Sequence, residues 1–205
     1  MLGNNEDGNR KYRTAFIMVP RKNGKSTLCA AIGLYMLFAD SERGSEIYSA
    51  AGDRAQAGIV FEIAKQMILN NPELTGRSKV FRNSITNESK GNFYQAISSD
   101  SKTKHGFNAN CIIFDELHTQ PNRDLWDTLL TSTGSRREPL CIAITTAGYD
   151  RNSICYEVYD YAKKVQDGII EDETFYSAIY EADPEDDITL ESTWEKANPN
   201  YGVSL

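Results

Sequence analysis

Short unbroken apolar runs alternate with longer amphipathic stretches along this chain. Thr14-Ala-Phe-Ile-Met-Val19, Cys111-Ile-Ile-Phe114 and Leu140-Cys-Ile-Ala-Ile144 are bounded by polar residues, the pattern of parallel strands covered on both faces. Glu46 to Ala51 and Phe175 to Tyr180 predict two more strands. Helix-like runs fall between them. The first spans Leu28 to Phe38. The second is capped by Asp53 and runs to about Asn70, with Ala57, Val60, Phe61, Ala64, Met67 and Ile68 on one face, and Asn71-Pro72 stops it. A third, capped by Asn122, carries Leu125, Trp126, Leu129 and Leu130 on one side, and a fourth spans about Ser153 to Val165. Between Lys79 and Ser98 the apolar segments shorten, around Val80-Phe-Arg82 and Phe93 to Ile97, which predicts short strands and turns. Alternating strand and helix predict an α/β fold with a doubly wound, mainly parallel sheet and helices on both faces.

Composition sets the limits within which that pattern is read. The 205 residues are 40% hydrophobic and 25% charged, enough for one sizeable α/β domain. No apolar run approaches the roughly 20 residues of a membrane span, and the polar start of the chain has no apolar signal core, so a cytosolic setting is expected. Residues 1–11 read as a flexible tail, 12–180 as the domain proper and 181–205 as an acidic linker. The four cysteines are widely spaced without a C-x-x-C pair, which points to buried reduced thiols. A net charge of -7 argues against a protein coated in nucleic acid but leaves room for local basic contacts.

Three places carry candidate chemistry. Val19-Pro-Arg-Lys-Asn-Gly-Lys-Ser-Thr27 joins the first strand to the first helix, the order a phosphate-binding loop requires, because a helix N-terminus offers unpaired N–H groups to phosphate oxygens. Lys25 then reaches the β/γ-phosphates and the Ser26 hydroxyl ligates Mg²⁺. The Walker A pattern is met only at Gly24, Lys25 and Ser26, since Val19 stands where the pattern has its first glycine. Asp115-Glu116 follows the most apolar strand and sets two carboxylates at the C-terminal edge of a parallel sheet, where such folds bind ligands. This is the Walker B arrangement, with an Asp to hold Mg²⁺ and a Glu to polarise the attacking water. Thr145-Thr146-Ala147-Gly148 ends the next buried strand and places small hydroxyl residues beside that pair.

Taken with Phe114-Asp-Glu-Leu-His118, Arg123-Asp-Leu-Trp126, Ile144-Thr-Thr-Ala-Gly148 and Lys196-Ala-Asn-Pro-Asn200, the Val19–Thr27 loop resembles the ATPase domain of the large terminase subunit of tailed bacteriophages and prophages. The resemblance spans about Tyr12 to Leu205, and the missing first glycine is part of it. It implies an additional-strand, catalytic-glutamate P-loop NTPase that uses ATP and Mg²⁺ to drive double-stranded DNA into a capsid. It further implies a homo-oligomeric ring at the portal protein, a small terminase subunit as partner, and the host cell cytoplasm as setting. Carried over by position, Arg21, Lys22, Asn23, Gly24, Lys25, Ser26 and Thr27 bind the nucleotide, and Ser26 and Asp115 hold the metal. Glu116 is then the catalytic base and Arg21 a second catalytic group at the γ-phosphate. Thr145, Thr146 and Gly148 couple hydrolysis to DNA movement. The family's adenine-contacting glutamine precedes the first strand and its ribonuclease-H-like nuclease follows the ATPase domain. Neither is found in this chain, so no nuclease activity is assigned to it.

Lys102, Lys104, Arg136 and Arg137 are candidates for a trans-acting cation or for DNA contacts, with a solvated helix end as the alternative for the two arginines. His105 and His118 have no partners at metal spacing and are read as hydrogen-bonding residues. A helicase-like ATPase and a nucleotide-binding assembly module without turnover are the alternative functions. A small-molecule kinase is disfavoured, because a glutamate placed to activate water promotes hydrolysis.

Overall fold

The computed structural model describes residues 3–6, 8–99, 106–148 and 150–203. In chain order its elements are β1 (Thr14–Met18), α1 (Lys25–Phe38), β2 (Glu46–Ala51), α2 (Arg54–Leu69), α3 (Pro72–Gly76), β3 (Lys79–Val80), β4 (Ser84–Asn87), β5 (Asn92–Ser98), β6 (Ala109–Asp115), α4 (Asp124–Ser132), β7 (Leu140–Thr145), α5 (Ile154–Gln166), β8 (Phe175–Ile179) and α6 (Glu191–Ala197). Among the described residues eight strands form one sheet in the order β3-β4-β5-β2-β6-β7-β1-β8. The strands from β5 to β8 run parallel, and β3 and β4 extend the sheet antiparallel at one edge. In this order β7 is inserted between β1 and β6, so the additional strand expected from the resemblance is in place.

The alternation of side chains along each strand divides the core in two. Ala15, Ile17, Cys111, Ile113, Ile142 and Ile144 face one side and pack with α1 and α2. Phe16, Met18, Ile112, Phe114, Cys141 and Ala143 face the other and pack with α4 and α5, where Trp126 lies against Phe114 at a ring separation of 4.9 Å. Both faces are covered, which is why these strands read as continuous apolar runs. The four cysteines are buried and free, as expected.

Several local expectations shift by a few residues. The first helix begins at Lys25 rather than Leu28, because Gly24 in the left-handed region (φ 77°) turns the loop directly into the helix. Asn71 not only ends α2 but caps α3, its side chain accepting from Glu73 and Leu74 N–H. Arg123 rather than Asn122 occupies the cap position of α4, and Asn122 accepts from the Asp124 N–H one step earlier. Leu130 of that helix is exposed. β4 was not foreseen as a separate strand.

Two terminal segments make more contacts than their composition suggests. Arg10 is buried, ion-paired with Asp40, and its Nε donates to the Glu138 carbonyl. Beyond β8, Glu181 accepts from Tyr159 Oη, and Lys196 of α6 pairs with Asp183 and Asp186, each at 2.6 Å. The acidic run is therefore folded back on α5 and α6.

Candidate active site

The phosphate loop leaves β1 at Val19, whose N–H donates to the Thr145 carbonyl at 3.1 Å and so prolongs the pairing of β1 with β7. Lys22 (φ 71°) and Gly24 (φ 77°) both take left-handed backbone, which curls the loop over the start of α1. The Lys25 side chain lies beneath that curl. Its Nζ donates to the Val19 and Pro20 carbonyls, each at 3.2 Å, leaving its remaining donor capacity for the cleft. Arg21, Lys22, Gly24, Lys25, Ser26 and Thr27 line a cleft of about 460 Å³, and Gln56, Glu116, His118 and Thr119 line its other side. Five cation or hydroxyl side chains on one wall of such a cleft suit a polyanionic ligand.

The two carboxylates at the end of β6 differ sharply in environment. Asp115 is 1% exposed, and neither of its oxygens has a hydrogen-bond partner among the described residues. Burial, and then the adjacent Glu116 charge, push its pKa up to about 6, while Lys25, and then the nearby Glu116 N–H and Gln56 side chain, pull it down. The Asp115 carboxylate and the Ser26 hydroxyl, in the first turn of α1, are hard-oxygen donors of the kind Mg²⁺ prefers, so the residue types fit that ion. Glu116 by contrast reaches into the cleft. It holds left-handed backbone (φ 51°, ψ 56°), a conformation that costs a non-glycine residue on the order of 1–3 kcal/mol and persists where surrounding contacts impose it. Those contacts are specific. Glu116 Oε2 accepts from the Thr146 N–H and from Thr146 Oγ1, both at 3.3 Å, and lies 3.2 Å from His118 Nδ1. Glu116 Oε1 faces Lys25 Nζ at 3.8 Å.

The predicted site residues thus divide into groups. Lys25, Ser26, Thr27, Arg21, Lys22, Gly24 and Glu116 share one cleft, with Asp115 buried behind it. Thr145, buried at the end of β7, and Thr146, just past it, do not line the cleft but contact it through His118 and Glu116 respectively. Gly148 packs on His118, where an added Cβ would come within 3.0 Å of the His118 Cβ. Asn23 does not line the cleft but braces its loop: Nδ2 donates to the Pro20 and Arg21 carbonyls, each at 3.3 Å, and to Asn198 Oδ1 at 3.1 Å, and Oδ1 accepts from the Asn200 N–H at 3.1 Å. Arg136 is withdrawn from the trans-acting candidates. Its guanidinium pairs with Glu42 at 3.2 Å and donates to the Asn108 and Gly44 carbonyls, leaving its side chain 8% exposed. Arg137 stays exposed, with a 3.3 Å contact to Asn9. Lys102, Lys104 and His105 lie outside the described residues.

Gln56, Thr119, Asn198 and Asn200 were not singled out individually from the sequence. The signal for Gln56 was present, since the Asp53 cap places the first turn of α2 at the C-terminal end of β2, beside β6. Asn198 and Asn200 are far from Asn23 along the chain, and local patterning contains nothing that pairs them.

A parallel sheet with a Gly-Lys-Ser/Thr loop after β1, Asp-Glu after β6 and an extra strand between them defines a P-loop NTPase. Residues 1–164 match the family model described as "Terminase large subunit, ATPase domain", and the chain belongs to that family. It is 31% identical over 199 residues to the large terminase subunit of Enterobacteria phage HK97, covering 92% of this chain and 38% of that one. The crystal structure of the HK97 large terminase superposes with a TM-score of 0.85 at 29% identity, over 95% of this chain and 40% of that one. Protein YmfN of Escherichia coli K12 is 39% identical over 100 residues, 49% of this chain and 22% of that protein. The large terminase of the thermophilic phage D6E, solved in complex with ADP, shares the fold at 16% identity with a TM-score of 0.57, over 82% of this chain and 40% of that one. The chain spans two fifths or less of the length of these relatives. Among the described residues no helix is long and apolar enough to cross a membrane.

Proposed function

We propose that this chain binds ATP with Mg²⁺ and hydrolyses it to move double-stranded DNA into a viral capsid. The observation that carries the reading is the Glu116 carboxylate held by Thr146 at the mouth of the Lys25 loop, opposite a buried, unpartnered Asp115. Lys25 and the α1 N-terminus bind the β/γ-phosphates, with Ser26 and Thr27 beside them. Ser26 and Asp115 hold Mg²⁺, which when bound offsets charge on the phosphate oxygens. Glu116 takes a proton from the attacking water. Arg21, exposed on the cleft rim, reaches the γ-phosphate and offsets transition-state charge. Thr145, Thr146 and Gly148 pass the change at Glu116 to the end of β7.

The ADP complex of the D6E terminase, which shares this fold, supports a nucleotide as ligand, and the HK97 likeness supports DNA packaging as the process served. In that process the chain works within a larger large-subunit protein, as a homo-oligomeric ring with portal protein and small terminase subunit, in the host cell cytoplasm. Arg137, Lys102 and Lys104 are proposed as contacts to DNA or to a neighbouring subunit.

The test compares parent and Glu116→Gln. The variant should bind Mg-ATP within about threefold of the parent while turnover falls about 10²- to 10⁴-fold, the usual range for a lost general base. Equal turnover in the two proteins removes Glu116 from the chemistry.

A further inference from the structure

The direction of one hydrogen bond in the cleft can be deduced. His118 Nδ1 lies 2.8 Å from Thr145 Oγ1 and 3.2 Å from Glu116 Oε2. An ionised carboxylate only accepts, so a bare ring nitrogen at that distance would set two lone pairs against each other. The Thr145 hydroxyl allows the same result. With its single hydrogen on the Thr146 carbonyl at 2.8 Å, its oxygen can accept from the ring as well as from the His118 N–H at 3.4 Å. The Glu116 carboxylate calls for the hydrogen on Nδ1, and the Thr145 hydroxyl accommodates it. The neutral ring then has Nε2 as an acceptor, and His118 lines the cleft.

Packing supports this orientation. His118 sits in the short turn Leu117–Thr119 that follows Glu116, and its own N–H is tied to Thr145 at the end of β7. Gly148 lies against its Cβ so closely that a methyl group there would come to 3.0 Å. The ring therefore bridges the ends of two neighbouring strands, β6 and β7.

We propose that His118 is a positioning residue: its Nδ1–H, shared between Glu116 and Thr145, fixes where the Glu116 carboxylate points and ties that direction to β7. The inference rests on the reading of Glu116 as the group that activates water. Thr146 holds Oε2 through two donors, and His118 Nδ1 stands 3.2 Å from the same oxygen, which limits rotation of the carboxylate. A carboxylate free to rotate still pairs with Lys25 but is less often aligned with a nucleophile. Loss of His118 thus lowers kcat while leaving nucleotide affinity in place.

Two measurements test this. ¹⁵N NMR of the whole chain, with the His118 ring assigned, should show the Nδ1–H tautomer at neutral pH; the Nε2–H tautomer overturns the proposal. In steady-state ATP hydrolysis, His118→Gln carries an amide near the Nε2 position and has no donor at Nδ1. It should lose about 10- to 100-fold in kcat, the range for one hydrogen bond to a charged group, with KM for ATP within about twofold. His118→Asn places its Nδ2 near the Nδ1 position and should recover most of that loss. Equal kcat in the Gln and Asn variants, or a loss that falls mainly on KM, overturns the positioning role. Thermal denaturation of each variant separates a folding defect from a kinetic one. Glu116→Gln separates the two levels: if it hydrolyses ATP like the parent, the active-site reading fails. If it is inactive while His118→Gln matches the parent, only this inference fails.

Discussion

Lys25 and Glu116 face each other across the cleft, ammonium to carboxylate at 3.8 Å, with the lysine anchored from behind by the Val19 and Pro20 carbonyls. Lys25 opens α1 after the loop that leaves β1, and Glu116 follows β6, so the two groups meet across the end of β7, which lies between those strands. On the proposed reading, a γ-phosphate bound at Lys25 would draw that cation from Glu116 and leave the carboxylate to Thr146 and His118.

Lys25→Ala should weaken ATP binding about 10- to 100-fold, the range for one or two lost charge-assisted hydrogen bonds. Titration with a fluorescent ATP analogue measures it. Affinity within twofold of the parent would place the phosphates elsewhere.

Asp115 gives a pH-dependent prediction for the metal-free protein. Its pKa rises from 3.8 to about 6 on folding, so between those values the folded chain binds more protons than the unfolded one. Stability contributed by the protonated group is complete below about pH 4 and is lost as pH rises through 6. Asp115→Asn removes that loss. In EDTA it should be more stable than the parent at pH 7, by on the order of 3 kcal/mol, and the advantage should vanish near pH 4. Denaturant melts at the two pH values decide; an advantage that does not change with pH contradicts the burial argument.

Asn23→Ala should loosen the segment after α6 and also remove the Nδ2 donations to the Pro20 and Arg21 carbonyls within the phosphate loop. The Asn200 N–H loses its acceptor, and its amide should exchange about 5- to 10-fold faster, as expected for about 1 kcal/mol of hydrogen bonding. Hydrogen exchange followed by NMR reads this residue directly. Unaltered exchange at Asn200 shows that other contacts hold the segment.

Arg10→Met should cost about 3 kcal/mol in urea denaturation, because Asp40 is left buried with only Asn110 as a side-chain partner. A change below about 0.5 kcal/mol returns Arg10 to the peripheral role that its place in the sequence suggests.

The Asp53 cap, β2 at Glu46–Ala51 and the helix beginning about Ser153 were all legible because each depends on a few neighbouring residues. The Asp115-Glu116 pair was legible for the same reason, as a polar step at the end of an apolar run. Arg136 was misread because its partners, Glu42, Gly44 and Asn108, come from distant segments that only folding brings beside it. His118 was read as a hydrogen-bonding residue, but its partners were not identifiable, since a turn residue after β6 and a strand end of β7 have no local relation.

The chain's own pattern determined the elements, the phosphate loop and the two acidic residues, since backbone turns, caps and strand runs are set by residues close in sequence. Only the tertiary structure decided that β7 lies between β1 and β6. The buried parallel strands are alike in apolar character, and their order follows from how α1 and α2 pack on one face and α4 and α5 on the other. That order puts Thr146 and His118 on Glu116, leaves Asp115 buried without a partner, and carries Asn198 and Asn200 onto Asn23. It turns three separate motifs into one site.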